Sequence, residues 1–197
     1  MKKLIISAAT LLLAISADAQ VNWKVDASHS KLGFSVTHMM VSETEGKFKV
    51  YDGTVSSKSD LDFTDAKVEF SADVSSINTE DEKRDGHLKS ADFFDAEKFP
   101  KITFKSVSMK PNAKNKYAYT LTGDLTMHGV TKKVTFTAVG ASKTMKDPYG
   151  NTKYGFKVVG TINRKDFGLA WNMALEAGGV IVSEEVKIDL NIELNKS

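Results

Sequence analysis

The chain has 197 residues, with 27 Lys and Arg against 25 Asp and Glu and 41% hydrophobic residues. That balance fits one folded domain and gives no electrostatic reason to expect nucleic acid as a partner. Cysteine is absent, which excludes a disulfide framework, thiolate metal sites and thiol catalysis.

At the N-terminus, Lys2-Lys3 precede an apolar run from Leu4 to Ile15, and Ala17-Asp18-Ala19 puts small residues where signal peptidase needs them. Residues 1–19 read as a signal peptide, cleaved near Ala19/Gln20, so the mature chain is expected in the periplasm or secreted. The run is shorter than the ~20 residues of a spanning helix, and no later segment is apolar for long enough, so no membrane span is expected.

The remainder alternates with period two. In chain order, the predicted strands are Leu32–Val36, Gly46–Tyr51, Val68–Val74, a short one at Ile102 and Phe104, Tyr117–Met127, Val134–Ala138, Phe156–Ile162 and Val186–Leu194. Turns are expected at Lys110-Pro111-Asn112, His128-Gly129 and Asp147–Asn151. Between the third and fourth strands, Thr79-Glu80-Asp81-Glu82 has the form of a capping box and predicts a short helix over residues 80–90. Phe93, Phe94 and Phe99 then pin this long connection to the rest, either as a lid or as a plug for an apolar end.

Eight amphipathic antiparallel strands close economically as a sandwich or as an up-and-down barrel, and the barrel removes the edges. The many lysines on the polar faces would crowd a narrow lumen, so the apolar faces point inward. The expected fold is all-β: an eight-stranded antiparallel up-and-down barrel with one short helix. Phe34, Val36, Phe48, Phe70, Val74, Phe104, Leu121, Leu125, Phe136, Phe156, Val158, Ile162, Ile188 and Leu190 then face a common axis as the candidate ligand-binding residues. Ala72, Gly123, Ala138 and Gly160 share those faces and are expected to leave room for a ligand.

Motifs for chemistry are absent. There is no nucleophile elbow, phosphate loop or dinucleotide fingerprint. His29, His38, His87 and His128 lack ligand spacing, so neither a metal nor a cofactor is expected. Asp124, Asp166 and Glu176 are scattered acids without a partner at catalytic geometry. The basic residues are lysines except Arg84 and Arg164, each beside an acid. At these two places the planar five-donor fork serves either to clamp a loop or to hold a headgroup. With His38 and Asn163, they are the candidate mouth or headgroup residues.

Ordered motifs run through nearly the whole mature chain: Trp23-Lys24-Val25-Asp26-Ala27-Ser28-His29-Ser30, Phe34-Ser35-Val36-Thr37-His38, Arg84-Asp85-Gly86-His87-Leu88, Phe99-Pro100-Lys101-Ile102-Thr103-Phe104, and Asn163-Arg164-Lys165-Asp166-Phe167-Gly168. In this set the chain resembles the YceI-like family of exported bacterial lipid-binding proteins. The resemblance implies a lipocalin-like barrel over residues 20–197, with an interior that holds a long isoprenoid or isoprenoid-quinone-like lipid. It also implies homodimers in some members. Met39-Met40 and Met127-His128 depart from the family pattern and are expected to reshape the mouth.

The expected function is a carrier that is not an enzyme. A prenyl chain gains about 0.8 kcal/mol per buried carbon, so roughly ten to twenty carbons bind tightly without a charged contact. The alternative is an enzyme or partner-docking scaffold built on the Arg84/His87 and Asn163/Arg164/Asp166 clusters.

Overall fold

The alternating segments pair as one antiparallel sheet in a computed structural model that describes residues 20–174 and 178–197. The expected signal peptide and Glu176 lie outside the described residues. Twelve strands are present: β1 (Val21–Val25), β2 (Lys31–His38), β3 (Ser42–Phe48), β4 (Tyr51–Ser57), β5 (Lys67–Asp73), β6 (Ile77–Asn78), β7 (Lys101–Asn112), β8 (Asn115–Met127), β9 (Val130–Gly140), β10 (Met145–Lys146), β11 (Thr152–Asn163) and β12 (Val182–Lys196). Pairing runs β11-β9-β8-β7-β5-β4-β1-β12, and β12 returns to β11, which closes a ring of eight.

Twelve strands among the described residues and an eight-stranded ring agree because three of the long strands bend and the two-residue β10 is a short hairpin arm on β11. Asp26–Ser30 separates β1 from β2, Lys49-Val50 separates β3 from β4, and a 3-10 turn at Val74–Ser76 separates β5 from β6. The expected strand Gly46–Tyr51 therefore straddles a bend. β12 spans the full height: Leu194 pairs with Val25 of β1, and Val186–Asn191 pairs with Val36–Lys31 of β2. Beyond the bends, β2, β3 and β6 continue one wall, and β6 pairs only with β3. The long connection to β7, carrying the helix, lies next to β6.

One end of the ring is packed solid. The Phe63 ring lies 4.8 Å from both Tyr154 and Phe156, and Trp23 sits 5.9 Å from Phe63. The Trp23 indole N–H donates to Ser57 Oγ at 2.9 Å, so its single polar group is satisfied inside the core. Burial pushes the Tyr154 phenol up to about 12, and it donates to the Ala141 carbonyl at 2.7 Å.

Four glycines make room for a neighbouring phenylalanine, and two of them, Gly123 and Gly160, were expected instead to leave room for a ligand. A Cβ at Gly46 would lie 2.3 Å from the Phe34 ring, at Gly53 2.6 Å from Phe70, at Gly123 2.3 Å from Phe104, and at Gly160 2.6 Å from Phe136. The space freed at Gly123 and Gly160 is filled by the phenylalanine of a neighbouring strand, so these glycines seat the wall rather than make room for a ligand.

The turns follow local chemistry, with one displacement. His128-Gly129 joins β8 to β9 with positive φ at both residues, as a two-residue hairpin demands. Asp147 Oδ1 accepts from the Tyr149 and Asn151 amides at 2.9 Å and closes the β10–β11 turn. The turn expected at Lys110–Asn112 instead falls at residues 113 and 114, because Pro111 is tolerated beside a register irregularity in β7.

Candidate ligand-binding cavity

The helix α1 (Glu82–Lys89) forms one residue-pair later than a Thr79 cap would give. Asp81 is the N-cap and its side chain accepts from the Arg84 amide at 3.0 Å. The Thr79 hydroxyl does not cap; it donates to Asp85 Oδ1 at 2.6 Å, and the Thr79 amide donates to the same oxygen at 2.8 Å. The expected capping box is thus replaced by a buried Asp85 reaching back to Thr79, a length that suits a carboxylate one turn into the helix. Arg84 completes this knot, with Nε on Thr79 Oγ1 at 2.8 Å and Nη2 on the Thr79 carbonyl at 2.7 Å.

Arg164 opens a 3-10 turn, Arg164–Phe167, after β11 and is 2% exposed. Its Nε donates to the Ser183 carbonyl at 2.9 Å and its Nη1 to the Leu169 carbonyl. The guanidinium also lies 5.7 Å from the centre of the Phe93 ring. Burial pulls its pKa below the usual guanidinium value, only partly opposed by Glu184. Both arginines hold loops through carbonyl and hydroxyl oxygens, and neither forms an ion pair with a carboxylate among the described residues.

Between the aromatic floor and these two clamps lies a cavity of about 410 Å³ with an almost wholly apolar lining. Thirteen candidate positions line it: Phe34, Val36, Phe48, Phe70, Phe104, Leu121, Leu125, Phe136, Phe156, Val158, Ile162, Ile188 and Leu190. Val74 does not: the chain leaves β5 at Asp73, and Val74 is buried in the packed 3-10 turn. His38, Arg84 and Arg164 line the end beside α1. Asn163 does not reach the cavity, because its side chain is used as the cap of the 3-10 turn, accepting from the Lys165 amide at 2.9 Å.

Residues outside the sequence-predicted ligand set complete the walls. Leu88 of α1, Phe93 and Phe94 close the gap beside β6, and Trp171 and Leu169 come from the β11–β12 connection. The Trp171 ring stands edge-on to His87 at 4.7 Å. Met127 lines the cavity, whereas Met39 and Met40 sit outside it on the exposed β2–β3 turn. Among the described residues the only carboxylate in the lining, Glu69, is exposed and lies 2.9 Å from Lys105 Nζ. The lining suits apolar binding more than proton transfer.

Outside the barrel, Asp26, His29 and Glu193 bring ligand-type atoms within 4.8 Å of one another. A cation already stands there: Lys153 Nζ is 2.8 Å from Asp26 and 3.1 Å from Glu193. The group ties the β1–β2 bend to β11 and β12.

The YceI-like domain model matches residues 23–194. The chain belongs to the YceI-like family. A relative from Staphylococcus aureus strain N315, UPF0312 protein SA2479, is 40% identical over 179 residues, covering 89% of this chain and 98% of the relative. Among solved structures, Burkholderia cenocepacia BcnA superposes with a TM-score of 0.71 at 25% identity, over 86% of this chain and 98% of BcnA. The Campylobacter jejuni YceI protein gives 0.69 at 29% identity, over 87% and 96%. A polyisoprenoid binding domain from Saccharophagus degradans, implicated in plant cell wall breakdown, shares the fold with a TM-score of 0.61 at 15% identity, covering 89% and 98%. None of these names denotes an enzyme. Like these YceI structures, the chain forms a lipocalin-like antiparallel barrel, and no helix among its described residues is long and apolar enough to cross a membrane.

Proposed function

We propose that this YceI-like protein is an exported carrier that takes up a long isoprenoid or isoprenoid-quinone-like lipid in the barrel interior. The observation that carries the reading is the apolar cavity of about 410 Å³, floored by packed aromatics and edged by polar groups at its other end. Its size falls in the range of roughly 300–1,000 Å³ usual for small-molecule sites. The Saccharophagus degradans domain, named for polyisoprenoid binding, supports the ligand class. Export rests on the Lys2-Lys3, Leu4–Ile15 and Ala17-Asp18-Ala19 pattern. In this reading the hydrocarbon lies along Phe104, Phe136, Val158 and Leu190, and His38, Arg84 and Arg164 stand at the headgroup end. The role is binding without chemistry.

Ala138 is 1% exposed and lines the cavity, so Ala138→Phe puts a ring into ligand space. Protein purified from its own host is expected to yield a long-chain isoprenoid on organic extraction, identified by mass spectrometry, and the Ala138→Phe variant to yield none while keeping its fold. Wild-type protein without extractable lipid, which also fails to take up farnesol or a short-chain quinone, would end the carrier reading.

A further inference from the structure

We propose that the β2–β3 turn, Met39 to Val41, with Met173 and Val180 beside it, forms an apolar tip that docks on a zwitterionic lipid bilayer beside the cavity mouth. The proposal rests on the carrier reading above and adds the surface from which the ligand enters. Met40 is 66% exposed and Val41 87%, and Met39, Met173 and Val180 are also exposed. The two segments form one unit. The Met39 amide donates to the Ile181 carbonyl at 2.7 Å, and the Ile181 amide donates to the Met173 carbonyl at 3.0 Å. Gly179 lies against Met40, since a Cβ there would come within 2.5 Å of its methyl carbon.

Three observations favour a bilayer over water or a protein partner. Met39 and Met40 both have positive φ, 50° and 58°. Such a turn is ordinarily built from Asn-Gly or Asp-Gly, so two bulky apolar residues stand where turn formation disfavours them. Second, the chain passes directly from the tip into the mouth: His38, Ile181 and Val182 line the cavity. Hydrocarbon leaving a bilayer under this tip would meet Ile181 and Val182 on its way to the apolar walls. Third, five side chains on two loop tips fall far short of the ~800 Å² per partner that a stable protein interface buries. Immersion of a few apolar groups at a lipid boundary needs no such area. Among the described residues, Glu43 and Glu184 near the tip are paired with Lys187 and Lys165, so these lysines offer no free charge to anionic headgroups.

The test is flotation of the mature protein with phosphatidylcholine vesicles, alongside transfer of a fluorescent farnesyl probe from those vesicles. Wild type is expected to float. Met40→Glu with Val41→Glu is expected to weaken flotation and slow transfer by about tenfold or more, with uptake of the probe from detergent micelles unchanged. Met173→Lys is an independent variant expected to act in the same direction. Leu61→Glu with Val107→Glu adds the same charge at exposed apolar sites elsewhere and is expected to float like wild type. Absence of wild-type flotation, full flotation of the tip variants, or equal loss in the Leu61/Val107 control would overturn the proposal. So would a wild-type dimer in light scattering that the tip variants abolish. Failure of wild type to take up probe from micelles would refute the carrier reading instead, and flotation would still decide the docking.

Discussion

Arg164 shows what a side chain's surroundings in space add to its neighbours in sequence. The adjoining Asp166 suggests an ion pair, yet the guanidinium reaches the Ser183 and Leu169 carbonyls, holding the two ends of the β11–β12 connection. A lysine cannot reproduce the fork. Arg164→Lys is expected to lower unfolding free energy by about 1–3 kcal/mol, measured by urea denaturation. Loss of ligand affinity at unchanged apo stability would instead make it a headgroup contact. Gly160 is the second such case. Its Cβ position meets the Phe136 ring at 2.6 Å, so Gly160→Leu is expected to overpack and cost about 1–3 kcal/mol, not to block uptake in an intact fold. Asp26 adds a pH dependence. The Lys153 hydrogen bond, then those from Ser28 and His29, hold its carboxyl well below the usual carboxylate range. A depressed folded pKa contributes stability that is present above the unfolded value and is lost as pH falls toward the folded one. Asp26→Asn should therefore cost about 1–3 kcal/mol at neutral pH, with the gap to wild type closing below the unperturbed value of 3.8. Equal destabilisation at pH 7 and pH 2.5 would show that the Asp26 charge is not what matters.

Among the elements, α1 depends on Thr79 in a way its sequence pattern disguises. Thr79 is buried and its hydroxyl bridges Asp85 and Arg84. Thr79→Val is expected to cost about 1–3 kcal/mol by leaving Asp85 short of a donor, whereas Glu82→Ala, at the last position of the apparent capping box, should leave the melting temperature unchanged. The reverse ranking would restore the box. What the sequence revealed of the elements follows period: β8, β9, β11 and β12 alternate over many residues, so their inward faces were legible, and with them most of the cavity wall. β1 was not, because five residues alternate too briefly to stand out. The bend at Asp26–Ser30 carries only an Asx-turn, the Ser28 amide donating to Asp26 Oδ1 at 3.1 Å. The bend at Lys49-Val50 contains neither glycine nor proline, so nothing local announces it. The β2–β3 turn escaped for the same reason, its left-handed positions being occupied by methionines. Val74 was misplaced because periodicity continues past a strand's end, whereas the chain does not; Asn163, the last residue of β11, was placed at the mouth with Arg164, but its side chain caps the 3-10 turn.

At the scale of the whole molecule, the barrel is half core and half cavity, and β12 samples both. Its inward positions Val186, Ile188, Leu190, Ile192 and Leu194 all reach the cavity, but Leu194, at the closed end, is fully buried against the aromatic floor. Truncation to alanine costs the transfer energy of the lost carbons plus a term for the void left behind. At Leu194 packed neighbours surround the side chain, so Leu194→Ala should cost about 2–5 kcal/mol. At Ile188 and Leu190 one side already faces empty space, where dispersion contacts are missing before any mutation. Ile188→Ala and Leu190→Ala should each cost less than Leu194→Ala in the lipid-free protein. A bound hydrocarbon would supply the missing contacts, so adding ligand should stabilise wild type more than the Ile188 and Leu190 variants, and change the Leu194 penalty least. Stability measured by urea titration along this one strand, with and without lipid, therefore separates a cavity from a core. Uniform costs from Ile188 to Leu194, unaffected by lipid, would mean that the interior collapses to a packed core in solution, and no lumen would remain for a carrier to use.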